Sequence, residues 1–197
     1  MQKIHLIAFI FIPLFLIGSC KESTKPCSLS KEVANDIHRL DSLISIPELR
    51  QREKDWLENN YKESSLLDAK TETYRFIWSS SFDTTKVNKI EKKYGQYSVT
   101  IKTFTSHQDT IGTTRKFDIT EREWNNIING LVRKGFWTYP TSDNRNGLDG
   151  STWILEGYKP EKDKCTGMNY QRIKRWSPID TTFMEMCELI YEVDTAK

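Results

Sequence analysis

The sequence has little histidine, and its cysteines lack the spacings that bind metals or take part in catalysis. Only three histidines and four cysteines occur in 197 residues, with no C-x-x-C and no Cys/His pattern of a zinc site. No EF-hand, phosphate-binding loop or nucleophile elbow is present. His38 and His107 belong to no Ser, Cys or metal-ligand constellation at a meaningful spacing. We therefore expect no metal, no cofactor and no catalytic residue.

The sequence also lacks an excess of charge of either sign. Lysine and arginine total 29 against 27 aspartates and glutamates. Removal of residues 1–19 would take away only Lys3, which leaves 28 basic against 27 acidic residues and a net charge of +1. Basic and acidic residues alternate along the chain, as on a solvated surface. We therefore expect no nucleic-acid partner.

No apolar run is long enough to cross a bilayer as a helix. The longest, Leu6 to Ile17, covers about 12 residues, whereas a membrane-spanning helix needs roughly 20. With Lys3 in front, this run is typical of a secretory signal peptide. Ile17-Gly18-Ser19-Cys20 follows and resembles a bacterial lipobox. The resemblance implies a signal peptide over 1–19, cleavage before Cys20, and anchoring in a lipid membrane through acylated Cys20. An ordinary secretory signal and an uncleaved anchor remain alternatives.

Residues 20–28 are interpreted as a polar tether between the membrane and the folded part. Within it, Lys21-Glu22 partly resembles the lysine-plus-acid export signal of surface lipoproteins in Bacteroidetes-type bacteria. The resemblance implies an outer-membrane lipoprotein that faces either the periplasm or the cell surface, with the surface favoured.

Three cysteines remain besides Cys20, and this odd number leaves at least one of them unpaired within the chain. The export compartment permits disulfides. Cys165–Cys187 is the predicted bridge. The competing interpretation of Cys187 is a small buried hydrophobic residue, since it falls on a helical stripe with Phe183 and Ile190.

The folded part is predicted to be α+β, with a helical N-terminal segment over 29–70 and an α+β domain over 71–197. Helical periodicity predicts helices over 30–45 and 47–60, which pack on the domain or form a stalk. From about residue 72 the period changes to two, which predicts an antiparallel meander with one wet face. A helix with a Thr120/Glu123 capping box is inserted, two strands follow over 151–158 and 166–174, and a helix over 179–193 ends the chain.

The stretch NRNGLDGSTWILEG, residues 144–157, looks at first like a ligand-binding loop, but its spacing matches no metal or phosphate motif. Asp149-Gly150 is interpreted as a turn that leads into a strand. Trp153 and Leu155 then point to one face of the sheet, and Glu156 to the other. Gly157 indicates a bulge or a close backbone contact.

GLDGSTWILEG followed by YQRIKRWSP resembles a small family of uncharacterised bacterial envelope and cytoplasmic proteins that carry G-L-D-G, W-x-L-E-G and R-x-S-P-like motifs. The resemblance covers roughly residues 71–190. It implies a domain boundary near residue 71 and no particular activity.

Two functions are weighed. The favoured one is a non-catalytic envelope module that binds a protein or glycan partner through polar and aromatic residues. The alternative is an envelope hydrolase that uses Asp149 and Glu156. A simpler interpretation of Glu156 is a cross-strand ion pair with Arg172. Tyr158, Tyr170 and Trp176 at strand ends form either a contact patch or part of the core. The candidate binding residues are Asp149, Trp153, Glu156, Arg172 and Trp176.

Overall fold

The computed structural model describes residues 27–104, 111–143, 145–147 and 149–194. Cys20 and most of the tether lie outside these residues. No helix within them is long and apolar enough to cross a membrane. The α+β prediction is confirmed: one six-stranded antiparallel sheet is combined with four helices.

The sheet is a meander with the strand order β4-β3-β2-β1-β5-β6, and helix α3 lies in sequence between β4 and β5. Every neighbouring pair of strands is antiparallel. The strands are β1 (Glu72–Ser80), β2 (Lys86–Lys93), β3 (Gln96–Phe104), β4 (Ile111–Asp118), β5 (Ser151–Tyr158) and β6 (Tyr170–Trp176). The helices are α1 (Lys31–Ser45), α2 (Pro47–Tyr61), α3 (Glu121–Arg133) and α4 (Thr181–Tyr191).

Helices α3 and α4 cover one face of the sheet and form the main core with it. The capping box predicted for α3 is confirmed, with Thr120 and Glu123 bonded reciprocally. Gly135 follows this helix with φ 77°. Gly157 lies where a Cβ would meet Tyr74 and Phe136 at 2.7 Å, so the predicted close contact is confirmed. The buried residues of this core include Tyr74, Phe76, Ile90, Val99, Trp124, Leu131, Phe136, Leu155, Ile173, Phe183, Met186 and Ile190.

The second face of the sheet is covered in part by α1 and α2, so the prediction of a wet face is wrong for its central strands. Leu57 and Tyr61 of α2 pack against Ile77, Val87 and Ile154. The N-terminal helices therefore pack on the sheet and do not form a stalk. Two polar residues of this face, Arg75 and Glu156, are buried in an ionic cluster.

Strand β6 begins four residues later than the predicted start at Thr166, because Asp163 holds a tight turn in front of it. Its carboxylate accepts the backbone N–H groups of Cys165 and Thr166, each at 3.0 Å. Helix α4 begins two residues after the predicted start at Ile179, since Asp180 caps it by accepting the backbone N–H groups of Thr182 and Phe183.

The predicted Cys165–Cys187 disulfide is wrong. Cys165, in the β5–β6 connection, is bonded to Cys27, which lies 138 positions away and just before α1. Cys187 is a free, fully buried thiol in the core, as its helical stripe indicated. Burial raises its pKa well above the ordinary value for a cysteine. The disulfide fastens the N-terminal end of the folded part to the tip of the β5–β6 hairpin.

Candidate functional site

The most polar region of the interior is centred on Arg75, whose side chain is fully buried between the sheet and α2. Its Nε donates to Glu156 Oε2 at 2.9 Å. Its Nη1 donates to Glu63 Oε2 at 3.0 Å and to the carbonyl oxygen of Ser64 at 2.9 Å. Glu63 lies two residues after the end of α2, so Arg75 joins the N-terminal segment to β1, one of the two central strands of the sheet.

Both carboxylates of this cluster have further partners. Glu156 accepts a hydrogen bond from the hydroxyl of Tyr170 at 2.9 Å, and Arg172 Nε lies 3.8 Å from its Oε1. Glu63 is 3.3 Å from the ammonium of Lys89 and 2.6 Å from that of Lys102. The predicted Glu156–Arg172 cross-strand pair is confirmed, although Arg75 is the closer partner of Glu156.

These contacts keep both carboxylates ionised. Burial alone would raise the pKa of Glu156, but the charges of Arg75 and Arg172 and the hydrogen bonds from Arg75 and Tyr170 outweigh it, so the pKa lies below its ordinary value. The pKa of Glu63 is lowered in the same way, by Arg75 and two lysines against the effect of burial. A buried, ionised and fully engaged Glu156 is suited to hold the fold together, not to donate or accept protons.

The structure does not bring Asp149 and Glu156 together. Asp149 is exposed in the turn before β5, seven positions from Glu156, and the strand rise places them roughly 20 Å apart. Paired carboxylates that cleave glycosidic bonds lie about 5–10 Å apart. The geometry therefore gives the hydrolase alternative no shared site.

The predicted aromatic binding residues lie in different places. Trp153 is on the α4 side of the sheet, where its ring centroid is 5.3 Å from that of Phe76. Trp176 is on the opposite side, close against Gly147 and Gly150. Tyr170 is buried and bonded to Glu156 at the other end of β6, so it does not form a surface patch with Trp176. Of the predicted residues, only Arg172 lines the groove described next.

An open groove of about 590 Å³ runs between α1 and edge strand β6. The connection after α3 supplies part of its wall, because Thr141 and Ser142 lie alongside β6. The Lys174 N–H donates to the Thr141 carbonyl oxygen at 2.8 Å. Arg39 of α1 crosses to this wall and donates to the hydroxyls of Thr141 at 3.0 Å and Ser142 at 2.8 Å. The lining residues are His38, Arg39, Leu40, Ser42, Leu43, Leu49, Thr141, Ser142, Arg172 and Lys174.

The polar lining of this groove is cationic. Arg172 and Lys174 of β6 both stand over the Trp56 ring, with distances of 5.1 and 5.7 Å to its centroid. Arg172 is also paired with Glu53 behind the groove. Lys174 is exposed overall, but partial desolvation lowers the pKa of its ammonium, and the charge of Arg172 lowers it further, while the charge of Glu53 opposes both.

Such an arrangement can bind an anion. Among the described residues no carboxylate lines the groove, and none lies within ion-pair distance of Lys174. An anionic group placed there would relieve the repulsion between Lys174 and Arg172. The hydroxyls of Thr141 and Ser142 accept from Arg39, and that of Ser42 donates to the His38 carbonyl oxygen. In none of these three bonds does a hydroxyl donate to a side chain that acts as a general base, as the activation of a nucleophile requires.

Sequence reasoning missed Arg39, Lys174 and the two hydroxyls of the groove. Arg39 and Thr141 are 102 positions apart, and no motif links them. Residues 27–104, 111–143, 145–147 and 149–194 hold no cluster of three or more His, Cys, Asp or Glu suited to a metal ion.

Comparisons with protein-family models, curated proteins and solved structures found no match to this chain. The resemblance of residues 71–190 to an uncharacterised bacterial family therefore stays a prediction.

Proposed function

We propose that this protein is a lipoprotein of the bacterial outer membrane, anchored through acylated Cys20, whose folded part is a non-catalytic binding module. The module binds a partner that presents a carboxylate or phosphate group, and the binding site is the groove between α1 and β6. The observation that carries this proposal is the cationic lining of the groove, in which Lys174 has no carboxylate partner among the described residues.

The lipid anchor rests on the lipobox sequence, and the position of the Cys27–Cys165 disulfide fits it. Cys27 lies seven positions after Cys20, so the connecting chain reaches at most about 25 Å. An anchor at Cys20 would therefore hold the Cys27–Cys165 end of the domain near the bilayer. This close attachment suits a module that works at the membrane surface.

Binding fits the groove better than catalysis does. Arg39 is held in place by Asp36 at 3.2 Å and by its two hydroxyl partners, so its guanidinium is preorganised. The apolar side chains of Leu43 and Leu49 line the same groove. A concave, partly apolar surface with a few convergent charged groups is typical of a recognition site.

The test compares the wild-type protein with Lys174→Gln, and with Lys116→Gln as the matched control. Lys174 and Lys116 are both exposed and lie on the two opposite edge strands. Each protein is probed with acidic and neutral oligosaccharides and with acidic peptides at two salt concentrations. We expect salt-sensitive binding of acidic probes only, weakened about tenfold or more by Lys174→Gln and unchanged by Lys116→Gln. Equal binding by wild type and Lys174→Gln, or no acidic probe bound, would overturn the proposal.

A further inference from the structure

A second cavity, of about 320 Å³, lies on the α4 side of the sheet. It sits where Trp78 of β1 is paired in register with Trp153 of β5, near the end of the sheet opposite the Cys27–Cys165 disulfide. The residues that line it are Phe76, Trp78, Trp153, Glu188, Tyr191 and Glu192. Neither the groove nor the buried ionic cluster contributes to it.

Aromatic rings from three elements surround this cavity. The ring centroid of Phe76 is 5.3 Å from that of Trp153, with 59° between the ring planes. It is 6.1 Å from that of Tyr191, with 83° between the planes. Trp78 and Trp153 are only partly buried, so their rings pack on the core and also line the cavity. The cavity is thus bounded by aromatic rings in several orientations.

The charged side chains that line this cavity are both carboxylates. Glu188 is exposed on the last turns of α4, and Glu192 follows four positions later, directly after the helix. The C-terminal end of a helix also carries partial negative charge, which favours a nearby cation. Among the described residues the lining includes no cationic side chain.

An ammonium group lies at the edge of the cavity, hydrogen-bonded to the hydroxyl of one of these rings. The Nζ atom of Lys86 stands 5.0 Å from the centroid of the Tyr191 ring, and it donates to the Tyr191 hydroxyl at 3.1 Å. Lys86 is not part of the lining. Aromatic faces attract cations through their quadrupole, most strongly when water is excluded, and cages of such rings recognise alkylammonium groups.

We infer that this cavity binds an organic cation, an alkylammonium group with apolar substituents. The rings contact the apolar substituents and attract the charge, and the carboxylates of Glu188 and Glu192 stabilise it. A small anion is disfavoured by the same carboxylates. The inference is independent of the groove, which lies on the other side of the sheet and has the opposite charge.

The experiment uses the full chain, purified in a neutral detergent. Choline is the probe, and 3,3-dimethyl-1-butanol, its uncharged isostere, is the control ligand. Binding is followed by tryptophan fluorescence, because Trp78 and Trp153 line the cavity. The variants are Glu188→Gln, Trp153→Leu and, as the matched control on the same helix, Glu185→Gln, since Glu185 is exposed but lies outside the cavity.

We expect a saturable fluorescence change with choline and binding of the isostere that is about tenfold weaker or more. Glu188→Gln and Trp153→Leu should each weaken choline binding several-fold, and Glu185→Gln should leave it unchanged. The far-ultraviolet circular dichroism of all variants should match that of the wild type. Equal binding of choline and its isostere, choline binding unaffected by Glu188→Gln, or no saturable change with choline would each overturn the inference.

Discussion

Replacement of Arg75 by methionine should destabilise the protein strongly, although Arg75 touches no candidate ligand site. The substitution keeps an apolar stem of similar length but removes the guanidinium that both Glu63 and Glu156 contact. Two carboxylates that are almost completely buried then lose their shared partner. Removal of one partner from a buried ion pair costs about 3–5 kcal/mol, and at neutral pH we expect at least that much here.

The pH dependence separates this cause from a simple loss of packing. The pKa values of Glu63 and Glu156 are lowered in the folded state, so their contribution to stability is present above the unfolded value of about 4.3. That contribution is lost as the pH falls further, through the folded pKa values. The stability difference between wild type and Arg75→Met should therefore be largest near pH 7 and narrow below about pH 4.3.

The assay is urea unfolding of the disulfide-bonded protein, followed by tryptophan fluorescence at several pH values. Lys134→Met is the matched control, because Lys134 forms an exposed pair with Glu185 and its loss should cost about 1 kcal/mol or less. If Arg75→Met does not fold, the added changes Glu63→Gln and Glu156→Gln should restore folding by removing the two buried negative charges that have lost their shared partner. A cost below about 1 kcal/mol at pH 7, or no rescue of an unfolded variant, would refute the reasoning.

Three further predictions follow from individual contacts. Gly157→Ala should lower the free energy of unfolding by about 1–3 kcal/mol, since its Cβ would lie 2.7 Å from two aromatic rings. A change in that free energy below about 0.5 kcal/mol would show that the surrounding rings move aside freely. Cys27→Ser should cost about 2–5 kcal/mol and make stability independent of reductant, whereas Cys187→Ser should keep the reductant effect. Thr120→Ala should cost about 1 kcal/mol by removing the α3 cap, as measured by thermal unfolding, and an unchanged melting temperature would contradict this.

Local signals predicted most of the secondary structure. Strand β5 has the predicted bounds, because its alternation and the Asp149-Gly150 turn lie within ten residues. Helix α3 has the predicted cap, since Thr120 and Glu123 are only three positions apart. The close contact at Gly157 was also predicted, because a glycine within a strand has few other reasons to occur.

The buried ionic face could not be read from the same alternation. Polar residues such as Arg75 at every second position of a strand are typical of a face exposed to solvent. The same period of two occurs when helices cover that face, so the pattern does not distinguish the two cases. Glu63, the carboxylate that pairs with Arg75 in the buried cluster, lies in a connection whose sequence has no periodicity. The disulfide posed a similar problem, because sequence spacing does not show that Cys27 folds back onto the β5–β6 hairpin.

The candidate sites are formed by residues distant in sequence. The groove joins Arg39 of α1 to Thr141 and Lys174, and the aromatic cavity joins Trp78 and Trp153 to the end of α4. Arg172 and Trp153 were predicted as binding residues from their side-chain types, and each lines one of these sites. Asp149 and Trp176 line neither, since the turn before β5 lies away from both.

The most direct test of the account is the mass of the N-terminal peptide of the protein isolated from bacterial membranes. If the chain is an anchored lipoprotein, the mature protein begins at Cys20, and this residue carries a diacylglyceryl group and an acylated amine. A chain that still begins at Met1, or one cut elsewhere with an unmodified Cys20, would contradict the proposed anchoring.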